Sequence, residues 1–83
     1  MHWYQFLIRV MFPDGVFEDI YNQHRTAMEG AGWHASWKNK ALPKGTYIGM
    51  RWDDDIDLVR MEVNRIAAAI APNATVIVER ING

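Results

Sequence analysis

From Trp3 to Phe12 the chain alternates, with Tyr4, Phe6, Ile8 and Val10 at every second position and Gln5 and Arg9 between them. A period of two predicts a long strand with one buried face. Pro13-Asp14-Gly15 breaks the strand, and the pattern then lengthens to that of a helix running to about Glu29. Gly30-Ala31-Gly32 stops this helix, since glycine adopts the left-handed terminal conformation without a steric penalty. Trp33 to Lys38 reads as a second strand, Asn39 to Gly45 as a connecting loop, and Thr46 to Trp52 as a third strand, the two strands forming a hairpin. The clearest helix follows, because Ile56, Val59, Val63, Ile66 and Ile70 recur at three-four spacing before Pro72 ends the run. Thr75 to Ile81 is the final strand.

Strand, helix, strand, strand, helix, strand is the order of the ferredoxin-like α+β superfold. Right-handed crossovers place both helices on one face of a four-stranded antiparallel sheet, in spatial order 4-1-3-2, and leave the other face open. That face must meet water, a ligand or a second copy. The superfold hosts many unrelated activities, so function has to be argued from sites.

Residues 1–83 fit one domain, short enough that its core gives limited stability and an oligomer interface would add to it. With 49% hydrophobic and 23% charged residues, the composition is that of a globular protein. A formal net charge of -1 gives no long-range attraction to nucleic acid. There is no cysteine, which excludes disulfides, thiolate metal ligands and cysteine nucleophiles.

Met1-His2-Trp3-Tyr4-Gln5 leads directly into strand-like sequence, without the basic start and apolar stretch of a secretory signal, and no apolar run reaches about 18 residues. A cytoplasmic protein with no membrane span is the expectation. Asn73-Ala74-Thr75 matches a glycosylation acceptor formally and is read as turn chemistry.

His24 is the first candidate for chemistry. On a helical projection Val16, Phe17, Ile20, Tyr21, Ala27 and Met28 define the inner face of the first helix, and His24 falls near its centre. An imidazole there could act as a base or line a ligand pocket with Tyr21. The structural alternative is a neutral core histidine bonded to a tyrosine hydroxyl or a backbone carbonyl. Asp53, Asp54, Asp55 and Asp57 stand where the second helix begins, so capping and the helix dipole account for them. No glycine interrupts the cluster and no glutamate closes it at calcium-loop spacing, and no metal or cofactor site is assigned.

Aromatic residues raise a nucleic-acid reading, in which bases stack on rings carried by a sheet. If Ile48 and Met50 face inward, Tyr47 and Arg51 lie on the open face with Trp3, Arg9, His34 and Lys38. Lys44-Gly45-Thr46-Tyr47-Ile48-Gly49-Met50-Arg51-Trp52 resembles, over two or three residues, the basic-glycine-aromatic motif of RNA-binding domains, with Thr46 in place of the first expected ring and a different glycine-aromatic spacing. Phe6 to Gly15, followed by a helix and Ala31-Gly32-Trp33, resembles in architecture the small dimeric α+β-barrel proteins, including muconolactone-isomerase-like enzymes and small monooxygenases. That resemblance implies a dimer formed through open sheet faces and a substrate held between sheet and helices, where His24 could stand. Pro13-Asp14-Gly15 is similar, more faintly, to the glycine turn of ACT-type metabolite-sensing domains.

On the outer side of the second helix Leu58 and Met61 interrupt a polar surface, as partner surfaces do. Trp3, Leu7, Met11 and Ile77 form an apolar area on the open sheet face. The reading these residues favour is a noncatalytic protein-interaction module, a homodimer, with Trp3, Leu7, Met11, Tyr47, Arg51, Leu58 and Met61 as interface candidates. It is compatible with a phage or mobile-element accessory protein that binds a host factor. A dimeric enzyme or small-molecule sensor with His24 in its pocket, and a nucleic-acid binder, are the alternatives. The pattern leaves open which sheet face Trp33 and Trp37 occupy.

Overall fold

The computed structural model describes residues 3–13, 18–52 and 54–81. It is an α+β arrangement of β1 (Tyr4–Met11), α1 (Glu18–Gly30), β2 (Ser36–Trp37), β3 (Lys40–Ala41), β4 (Thr46–Arg51), α2 (Ile56–Ile70) and β5 (Thr75–Ile81). β1 is central, pairing antiparallel with β4 on one side and β5 on the other. The register sets Ile8 opposite Tyr47 and Val78, and Phe6 opposite Gly49 and Arg80. Residues directly opposite one another share a face, so these rows face the helices. Phe6, Ile8, Val10, Tyr47 and Val78 meet Met28 of α1 and Val59, Val63 and Ala67 of α2 in one buried cluster. The molecule measures 19 Å across its short dimension, the depth of one sheet and one helix layer.

The sheet has three strands where four were expected. The missing edge is reduced to a single bridge at His34, which donates to the Ile48 carbonyl at 2.7 Å and accepts from the Ile48 N–H at 2.9 Å. The segment then turns back on itself. Lys38 and Asn39 both have positive φ, at 50° and 64°, and form the two-residue turn of a separate hairpin in which β2 pairs with β3. Such a turn matches the twist of its own short strands, so the chain folds locally instead of continuing along β4. The expected loop from Asn39 to Gly45 therefore contains a strand, and the expected strand from Trp33 to Lys38 ends early.

Asp55 caps α2, its carboxylate accepting from the Asp57 N–H at 2.9 Å. At the other end the Ala71 N–H bonds to the Ala67 carbonyl, and Asn73, with φ of 65°, turns the chain into β5. The break at Asp14-Gly15, the inward positions assigned to Val16 and Phe17, and Asp53 lie outside the described residues. Among the described residues no helix is long and apolar enough to cross a membrane.

Candidate functional site

His24 is set by α1 directly under the sheet, with 0% exposure. Its Nδ1 lies 3.3 Å from the Tyr47 hydroxyl, and Phe12 and Tyr47 meet the imidazole edge-on at centroid distances of 5.3 and 5.4 Å. Nε2 is buried and has no hydrogen-bond partner among the described residues. Burial pushes the imidazole pKa below its ordinary value, since the charged form would lose its water. Burial likewise pushes the Tyr47 phenol up to about 12, with smaller opposing contributions from the charges of Arg25 and Glu29. The pair is thus two neutral groups in an aromatic setting. Among the described residues the polar contact of the imidazole is the Tyr47 hydroxyl.

Tyr21, one helical turn before His24, accepts a hydrogen bond from the Phe12 N–H at 3.1 Å, and the Lys44 ammonium lies 4.6 Å from its ring centroid. It lines a cleft between α1 and the 41–47 segment, shared with Tyr47, while His24 stands behind without lining it.

The expected parity of β4 is inverted. Tyr47 is 2% exposed and faces α1, not the open side, and Arg51 shares that face through its register with Tyr4. Arg51 is held by Glu62 of α2, with its Nε at 3.1 Å from Oε1 and its Nη2 at 2.5 Å from Oε2, and Nη2 also donates to the Ala31 carbonyl at 2.8 Å. The Trp33 indole N–H donates to the same carboxylate at 2.8 Å, under a guanidinium 4.0 Å from its ring centroid. Burial alone would raise the Glu62 pKa, but the hydrogen bonds from Arg51 and Trp33 and the nearby positive charges outweigh it and hold the carboxyl below its ordinary value. Trp33 is fully buried on the helix side, whereas Trp37 is exposed on the hairpin.

Sequence reasoning missed this Trp33–Arg51–Glu62 clasp. The signal for it was Gly49, an isolated glycine inside a strand, which marks the close approach of another group. A Cβ on Gly49 would collide with the Trp33 ring, with Cζ3 only 2.8 Å away.

The other sheet face carries Leu7, Arg9 and Met11 of β1, Ile48 and Met50 of β4, and Ile77, Glu79 and Ile81 of β5. Met11, Met50 and Ile77 are exposed, and Ile48 is buried apart from the main core cluster. Arg9 and Glu79 are diagonal neighbours at the middle of this face, because Arg9 pairs with Ile77 and Leu7 with Glu79. Neither forms an ion pair with another described residue. Trp3 packs edge-on against Trp52 at 4.9 Å at one end of the sheet. Trp52 in turn lines a groove of about 230 Å³ with Leu58. Leu58 and Met61 are 51% and 58% exposed on α2. The nucleic-acid platform envisaged from Tyr47 and Arg51 loses both of those groups to the helix side, and Lys38 stands in the hairpin turn.

Compared with protein-family models, with curated proteins and with solved structures, the chain matches none.

Proposed function

We propose that this protein is a noncatalytic protein-interaction module that pairs with a second copy of itself through the uncovered face of its sheet, on a reduced form of the ferredoxin-like plan. The observation that carries the reading is the composition of that face. Leu7, Met11 and Ile77 border Arg9 and Glu79, two opposite charges without intramolecular ion-pair partners among the described residues, and Met50, Ile81, Gln5, Thr46 and Thr75 share the face. A two-fold axis lying in the interface, perpendicular to the line between these two residues and through its midpoint, sets each Arg9 opposite the Glu79 of the other copy. An isologous interface requires this self-complementarity. The apolar residues supply burial and the charges fix register.

The environment of His24 supports a noncatalytic reading. Its polar contact is another neutral group with a raised pKa, and the imidazole itself is fully buried. Light scattering across a micromolar concentration series tests the proposal. It should show a concentration-dependent rise to twice the monomer mass, and monomer alone at high micromolar concentration would refute self-pairing.

A further inference from the structure

The cleft between α1 and the 41–47 segment has a volume of about 240 Å³, just under the roughly 300–1,000 Å³ of sites for drug-sized ligands. Its charged lining residues among those described are Glu18, Arg25 and Lys44, one anion against two cations. Glu18 is already taken by Lys44, whose ammonium lies 2.6 Å from the carboxylate. Arg25 is left as the cation in excess. Its partner Glu29 stands 3.8 Å away, with both side chains more than half exposed, and a stretched exposed pair of that kind contributes little. A guanidinium so placed can accept a carboxylate in the two-pronged geometry that suits both groups.

The neighbouring groups complete the requirement. Asn22 and Thr46 are also in the lining, and neither side chain is hydrogen-bonded to another described residue. The apolar part of the lining comes from Ala35, Ala41, Leu42 and Pro43. An inorganic anion would leave those apolar residues wet, and an uncharged ring would leave Arg25 with only its stretched contact to Glu29.

We propose that this cleft binds a small carboxylate carrying a flat apolar ring, with the carboxylate on Arg25 and the ring against Leu42 and Pro43. Arg25 stands on α1, on the helix side of the sheet, while Thr46 at the cleft edge pairs with Arg9, so benzoate binding is read on α1 and on residues 41–45 apart from self-pairing. An NMR titration of backbone amides with benzoate tests it, with acetate, benzamide and inorganic phosphate as comparisons. Benzoate should give saturable shifts confined to α1 and residues 41–47. Acetate, benzamide and phosphate should each bind more weakly by about tenfold or more, as expected when a charge-assisted contact or an apolar contact is removed. Arg25→Gln, an exposed substitution expected to leave the fold intact, should lose affinity for benzoate by the same factor. No saturable shift at tens of millimolar benzoate would overturn the proposal. So would shifts located on the open face, or unchanged binding by folded Arg25→Gln.

Discussion

At the scale of residues, the molecule depends on two polar arrangements, one half-buried and one fully buried, that differ in how well they are satisfied. In the Trp33–Arg51–Glu62 clasp the carboxylate receives three hydrogen bonds, whereas His24 has one contact and an orphaned Nε2. His24 should therefore set the acid limit of stability. Its folded pKa is lowered below the unfolded value, so as pH falls through about 6.5 the unfolded chain takes up a proton that the folded chain refuses. Stability is full above that pH and declines below it. Chemical denaturation at about pH 7.5 and about pH 5.5 should show this loss in wild type and a smaller one in His24→Gln. His24→Ala should lower stability by about 1 to 4 kcal/mol near neutral pH, through a cavity and the unpaired Tyr47 hydroxyl. Gly49→Ala should lower it by about 1 to 3 kcal/mol, because the added methyl must displace the Trp33 ring. Unchanged denaturation midpoints would reject either account.

At the scale of elements, β1 and α2 are legible in the sequence and β4 is not, for a physical reason. In β1 the buried positions are Phe6, Ile8 and Val10, and in α2 the buried Val59, Val63 and Ala67 recur every four residues, so apolar pattern and burial coincide. In β4 they part company. Gly49 faces the helices with no side chain to announce it, its space filled by Trp33 from another segment, while Ile48 and Met50 face the other way. Reading the apolar residues of β4 inward thus inverts the strand and moves Tyr47 and Arg51 to the wrong side. His24 was legible as an inward residue from helical spacing; its contact with Tyr47 was not, because that depends on the parity of β4. The fourth strand was lost to a turn whose residues, Lys38 and Asn39, lack the Asn-Gly form that usually marks it. Replacing Lys38-Asn39 with Asn-Gly should relieve left-handed backbone strain and stabilise the protein by about 1 kcal/mol. Thermal unfolding would show a raised midpoint, and a lowered one would contradict the turn assignment.

At the scale of the whole molecule, one layer of helices covers one face of a three-stranded sheet, and the other face carries exposed Met11, Met50 and Ile77. A chain this short gains from covering such a face, and its charges are arranged so that a second copy can do so. In the proposed dimer Arg9 of each copy meets Glu79 of the other, so reversing either charge places like charges together, and reversing both restores the match. Sedimentation equilibrium on wild type, Arg9→Glu, Glu79→Arg and the double variant measures this directly. The account predicts a wild-type dimer, a dimer dissociation constant raised about tenfold or more in each single variant, and recovery in the double variant. A wild-type monomer, or a dimer unaffected by either single reversal, would contradict it.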